Sequence, residues 1–204
     1  MRLYAIIGLG NPGSQYHQTR HNCGFRLVDA LAAQNNAELK LNARLQSKSV
    51  RIRIGDIRVW LAQPITYMNR SGEAFVRIAR YYKIEPSNMI VAHDELDLPA
   101  GTVKLKKGGG TGGHNGLTDI ISRAGTRDFL RIRIGIGKPA HRNDTVPYVL
   151  SLPSVHDRTL IDDAIFDAVQ CIPEILSGQT ERAMNILHSR DSSGVENRQC
   201  SPNG

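Results

Sequence analysis

The segment from Leu3 to Leu9 (LYAIIGL) is apolar and runs into Gly8-Leu9-Gly10-Asn11-Pro12-Gly13. A short apolar run closed by glycine reads as a buried strand, and such a strand needs cover on both faces. The glycine spacing also fits G-x-G-x-x-G, which raises a dinucleotide reading. That fingerprint requires a helix starting at the loop and a second strand closed by an acid about twenty residues on. Here a polar, non-periodic stretch from Asn11 to Asn22 follows instead. The glycines therefore read as turn residues that carry Asn11 to an open strand end, where ligands of α/β sheets gather.

The rest of the chain supplies the cover. Phe25, Val28 and Leu31 recur at helical spacing, and residues 49–54 alternate. Gly55-Asp56 is a hairpin signal with Ile57 to Ala62 as the return strand. A helix is predicted over Ser71 to Tyr82, then a strand over Met89 to Ala92 that runs into His93-Asp94-Glu95. Thr102 to Lys106 reads as a strand, Gly108 to Gly113 as a loop, and a helix is expected to start after Asn115 and end near Gly125. A strand over Phe129 to Ile136, a loop over 138–147, a helix from Arg158 to Gly178 and a helix from Thr180 to His188 complete the pattern. Interleaved strands and helices, with a hairpin among them, predict one α/β domain over 1–188 on a twisted mixed sheet. The polar stretch 189–204 is expected to be a disordered tail.

Composition narrows the function. No stretch is long and apolar enough to span a membrane, and the N-terminus lacks a secretory pattern, so a cytoplasmic protein is expected. Cys23, Cys171 and Cys200 are odd in number and widely spaced, as free thiols in a reducing compartment are. The net charge of +7 leans toward a polyanionic partner. Arg190 and Arg198 cancel Asp191 and Glu196 in the tail, so the excess lies on the folded body. It recurs in pairs: Arg51 and Arg53, Lys104 with Lys106 and Lys107, Arg131 and Arg133, Lys138 and Arg142.

The polar residues that fall at strand ends and helix starts are Asn11, His21, Asn69, Asp94, His114 and Asn115. A histidine held by a carboxylate is the minimal general base, because the carboxylate fixes the tautomer and steadies the charged imidazole. No G-x-S-x-G elbow occurs, which favours direct attack by water. Asparagines offer both donor and acceptor to a peptide. Taken singly, an Asn at such a place is usually a cap or turn residue, and a lone His is more often a surface or structural residue than a base. Asp94 alone could cap a turn, and spacing alone does not bring His21 to Asp94. Two rivals stand beside this reading. One is a metal-dependent hydrolase using His21, His93, His114 and Asp94, against which no H-E-x-x-H pair is present. The other is a non-catalytic RNA-binding module, against which aromatics are only 5% and no stacking motif is visible.

Four segments together resemble the bacterial peptidyl-tRNA hydrolase family. They are Gly8 to Gly13 with Tyr16 and Thr19-Arg20-His21-Asn22, Pro64 to Asn69 with Ser71-Gly72, His93 to Pro99 with Gly101, and Gly108 to Leu117. The resemblance covers nearly all of 1–188. It implies a monomeric single-domain enzyme that needs no metal or cofactor and takes peptidyl-tRNA as substrate. It implies His21 as the general base, Asp94 as its partner, and Asn11 as the group that checks for an acylated amino acid. Asn69 and Asn115 would hold the peptide–ester region, Tyr16, Tyr67 and Met68 would shape the site for the tRNA end, and His114 would support it. Lys104, Lys106, Lys107, Arg133 and Arg142 would meet tRNA phosphates. Gln63 and Ser151 depart from the residues that family members often carry, Lys and Gly respectively.

Overall fold

A computed structural model describes residues 3–193. Its seven-stranded sheet has the order β2-β3-β4-β1-β5-β7-β6. The strands are β1 (Leu3–Gly8), β2 (Lys40–Asn42), β3 (Ser47–Ile54), β4 (Ile57–Pro64), β5 (Met89–Glu95), β6 (Val103–Lys107) and β7 (Leu130–Gly135). The central four, β4, β1, β5 and β7, are parallel, while β2, β3 and β6 add antiparallel edges. The predicted mixed sheet is therefore present, with its apolar first strand at the centre.

Helices cover both faces. On one lie α1 (Cys23–Gln34) and α5 (Val155–Gln170), whose Leu27, Val28, Leu31, Ile161 and Ile165 pack over Ile6, Ile90 and Ile132. On the other lie α2 (Ser71–Tyr82) and α3 (Asn115–Ala124), whose Phe75, Ile78, Leu117 and Ile120 pack over Ala5, Ile7 and Val91. These faces are amphipathic because the apolar residues recur every three or four positions.

The glycine loop has a packing reason. A Cβ on Gly8 would lie 2.1 Å from the Gly24 carbonyl oxygen, and one on Gly24 would lie 2.3 Å from the Ala92 oxygen. The backbones of β1, β5 and the start of α1 thus touch. Leu9 N–H donates to Ala92 O at 2.9 Å and Phe25 N–H to Leu9 O at 3.2 Å, which ties the loop to both neighbours.

Three expectations need correction, and one strand, β2, had no expectation at all. The helix expected over Arg158 to Gly178 breaks at Cys171 into α5 and α6 (Ile172–Leu176), because Pro173 suits a first helical turn and not an interior. The segment 138–147, read as loop, leads into α4 (Thr145–Val149). The edge strand β2 is too short to show a period, and its Leu41 is exposed. Finally, α7 (Thr180–Ser193) runs past position 188; the remainder of the expected tail, 194–204, lies outside the described residues.

Candidate active site

Parallel pairing of β1 with β5, Gly8 opposite Ala92, sets the exit of β1 beside the end of β5. A 3-10 turn at Arg20–Asn22 then brings His21 against Asp94, 73 positions away in sequence. His21 Nδ1 lies 2.9 Å from both carboxylate oxygens of Asp94. A carboxylate only accepts, so Nδ1 carries the proton and Nε2 keeps a bare lone pair.

His114 holds the carboxylate from the other side. Its Nδ1 accepts the Gly116 and Leu117 N–H groups at 3.1 and 3.3 Å, capping α3. The ring proton therefore sits on Nε2, which donates to Asp94 Oδ1 at 3.0 Å. One side chain thus caps a helix and fixes the acid beside His21, a link that residue spacing does not reveal.

The electrostatics follow from burial. Burial opposes ionisation of Asp94, but His21 and His114 together hold its carboxyl well below the usual range. Burial pulls the His21 imidazole down, yet Asp94 outweighs it and the net shift is upward from 6.5. His93 behaves differently. Burial first, and then His114, lower it to about 3, so it is a neutral ring. Its Nδ1 donates to the Asp94 carbonyl at 2.7 Å, and its buried Nε2 has no hydrogen-bond partner among the described residues.

Asn11 is fixed by three bonds. Asn22 Oδ1 accepts Asn11 N–H at 2.9 Å, and Asn22 Nδ2 donates to Asn11 O at 3.0 Å. Met68 N–H donates to Asn11 Oδ1 at 2.8 Å, which leaves the Asn11 Nδ2 donors as the free end of the amide. Met68 itself is buried beneath, its sulfur against Gly116. Asn11 and Asn22 also line a cavity of about 360 Å³ with Phe25, Lys48 and Gln63. Asn69 and Asn115 are exposed at the starts of α2 and α3, and Tyr67 is exposed while Tyr16 is half-buried.

Arg20 ties this turn to the segment after β7. Its guanidinium donates to Ser151 Oγ at 2.8 Å, Leu152 O at 2.9 Å and Asp157 at 3.2 Å, and lies 4.2 Å over the Tyr148 ring. Arg131 is fully buried and donates to the carbonyls of Gly109 and Gly110 at 2.8 and 2.6 Å, pinning the glycine-rich loop that leads to His114. Neither Arg20, Arg131 nor Asn22 was assigned a site role from sequence; only adjacency to His21 singles out Arg20 and Asn22.

The basic residues divide. Lys104 faces Arg133, and Lys106 faces Arg131, across the β6–β7 pairing. Arg133 Nε pairs with Glu95 at 2.9 Å and Lys107 with Asp128 at 3.1 Å. Among the described residues Lys104 and Lys106 have no carboxylate partner. The side chain of Arg142 lies outside the described residues.

The ligand atoms of His21, Asp94 and His114 fall within 4.8 Å of one another, a donor set that local spacing did not offer. Both nitrogens meet Asp94 as hydrogen-bond donors, and His114 Nδ1 is committed to α3. Hydrogen bonds thus account for the whole cluster.

A buried carboxylate that fixes one nitrogen of an imidazole and leaves the other bare has the geometry that a general base needs, here at the carboxyl ends of an open α/β sheet. The peptidyl-tRNA hydrolase family pattern matches residues 5–194, and the chain belongs to that family. It is 49% identical over 185 residues to a peptidyl-tRNA hydrolase of Neisseria meningitidis, covering 91% of this chain and 96% of that one. It is 51% identical over 189 residues to one of Legionella pneumophila, covering 93% and 100%. The crystal structure of peptidyl-tRNA hydrolase from Acinetobacter baumannii superposes with a TM-score of 0.88 at 42% identity, covering 91% of this chain and 94% of that one.

Proposed function

We propose that this chain hydrolyses the ester bond between an N-acylated aminoacyl group and the 3′ end of tRNA. Family membership and the names of its relatives support the reaction. The observation that carries the mechanism is the His21 ring, held at Nδ1 by both oxygens of Asp94 and bare at Nε2. Nε2 takes a proton from water, and the resulting hydroxide attacks the ester carbonyl carbon. The tetrahedral intermediate then collapses with release of the ribose oxygen, which takes up a proton. Asp94 steadies the imidazolium between these steps.

Asn11 supplies selectivity through the end of its amide that is left over. Met68 N–H occupies Oδ1, so Nδ2 presents donors. An N-acyl carbonyl accepts such a donor, whereas the ammonium of a free aminoacyl group is itself a donor and does not. Asn69 and Asn115 hold the flanking peptide and ester, Tyr16 and Tyr67 bound the place of the tRNA end, and Lys104 and Lys106 meet phosphate. The reading includes a monomer that works in the cytoplasm, without metal. No helix among the described residues is long and apolar enough to cross a membrane.

Hydrolysis of N-acetylaminoacyl-tRNA, beside free aminoacyl-tRNA and with EDTA present, tests this. Rapid release from the acylated substrate alone is expected. Release that stops with chelation, or cleavage of both substrates at equal rates, overturns the metal-free or the Asn11 assignment respectively.

A further inference from the structure

Away from the His21 centre, six side chains form a continuous run on the α2 side of the sheet. Arg51 and Trp60 stand directly opposite one another in the β3–β4 register, with the guanidinium carbon 5.9 Å from the indole centroid. Trp60 stacks on Tyr82 at 3.9 Å with 17° between the planes. Tyr82 meets Tyr81 edge-on at 4.8 Å, and Arg44 lies 4.6 Å over the Tyr81 ring. Arg77 completes the run by donating to Arg44 O at 3.2 Å. The sequence shows few aromatics and no stacking motif, but the fold gathers three of them between three arginines.

The charge of this run is uncompensated. Among the described residues Arg44, Arg51 and Arg77 have no carboxylate partner. Glu73, the acid of α2, is taken by Arg70 and Arg123, and Asp56 at the hairpin by Arg53. Arg80 and Lys83, both exposed, add to the same end of α2. A guanidinium resting on an aromatic face keeps its in-plane N–H groups free and loses little freedom when it binds a phosphate. Trp60 pairs with Ala5 at the start of β1, so the run lies toward the opposite end of the strand from Asn11. It is also separated from Lys104 and Lys106 by most of the width of the sheet.

We infer that the Arg51–Trp60–Tyr82–Tyr81–Arg44–Arg77 run is a docking surface for the phosphate backbone of RNA, occupied by a helical arm of tRNA while the 3′ end lies at His21. The identity of the RNA rests on the hydrolase reading; the phosphate chemistry does not. Such contacts give affinity and salt dependence without reading sequence, which suits an enzyme that accepts many tRNAs.

The test is binding of deacylated full-length tRNA, followed by anisotropy across a salt series. A triple variant R44Q/R51Q/R77Q, shown to be folded by thermal melting, is compared with the wild type. Affinity should fall about tenfold or more at low salt, and the slope of log K against log salt should flatten by roughly 2–3, about 0.9 per lost phosphate contact. Turnover of N-acetylaminoacyl-tRNA at saturation should not change. A triple lysine variant should recover the slope but only part of the affinity, because lysine does not hold a stacked fork. Unchanged affinity and slope in the glutamine variant overturn the inference. So does equal weakening toward polyglutamate, which would mean general anion attraction. A wild-type chain that binds tRNA in this way but leaves N-acetylaminoacyl-tRNA intact breaks the hydrolase reading and spares this one.

Discussion

The centre and the rim of the site are built in opposite ways. At the centre, Asp94 is buried, the side chains of His21 and His114 are only 11% and 8% exposed, and each bond between them has a defined donor and acceptor. At the rim, Asn69, Asn115 and Tyr67 are exposed, and neither asparagine side chain is hydrogen-bonded among the described residues. Groups whose protonation state must be fixed before substrate arrives are locked by the protein. Groups that must meet substrate are left with bonding capacity to spare. The largest expected effect comes from breaking the centre. His21→Ala should lower turnover by about 10²–10⁴-fold in single-turnover assays, with little change in tRNA affinity. Asp94→Asn should fall in the same range. It leaves one oxygen for two N–H donors, so one ring must change tautomer or lose its bond. Wild-type turnover from either variant would remove the general-base assignment.

The rim should respond differently. Asn69→Ala and Asn115→Ala should each lower kcat/KM by about tenfold, the worth of one hydrogen bond to substrate, without moving the melting temperature. Asn22→Ala sharpens the comparison, since Asn22 holds the Asn11 backbone at both its N–H and its carbonyl. It should cost stability, about 1–3 kcal/mol from the unpaired groups left behind, and should weaken discrimination between acylated and free aminoacyl-tRNA. A kinetic effect without a stability effect would mean that Asn22 meets the substrate itself.

This contrast also explains what could be read from the residues. The apolar strand β1, the Gly55-Asp56 hairpin and the helices α2 and α3 were legible because their periods are local. The six site positions at strand ends and helix starts were legible as candidates for the same reason. That His21 meets Asp94 depends on the parallel pairing of β1 and β5, a long-range register carried by the family resemblance and not by spacing. The tie that Arg20 makes was not legible beyond its place beside His21. Its partners Tyr148, Ser151, Leu152 and Asp157 come from a segment more than a hundred positions away. The stacked run at Trp60 was missed because a strand residue and two helix residues meet only in the folded chain.

The pH dependence separates centre from rim as well. Rate requires His21 unprotonated, so kcat/KM should fall about tenfold per unit as pH drops below its raised value, and rim variants should leave that limb in place. Stability has its own window. His93 titrates near 3 when folded and near 6.5 when unfolded, so the unfolded chain binds more protons between those values. Stability is therefore lost as pH falls from about 6.5 toward 3, with Asp94 adding to the loss below about 4. His21 works in the opposite sense, since its raised value lends stability that disappears as pH rises through it. Denaturant midpoints measured from pH 8 to 4 should fall, and His93→Gln should flatten the fall.

The smallest effect lies at the rim's charged edge, where pairing decides the outcome. Lys104 and Lys106 lack carboxylate partners, whereas Arg133 is held by Glu95 and Lys107 by Asp128. A free lysine that meets a phosphate releases a counterion, and each such contact contributes about 0.9 to the slope of log K against log salt. A cation already paired releases less, because its carboxylate must be displaced or left beside the phosphate. Lys106→Gln should therefore flatten the slope for tRNA by about 1, and Lys107→Gln by clearly less. Glu95→Gln frees Arg133 and should steepen it. Equal slopes for Lys106→Gln and Lys107→Gln would show that these surface pairs open without cost, and that position along β6, not pairing, sets which cations reach the RNA.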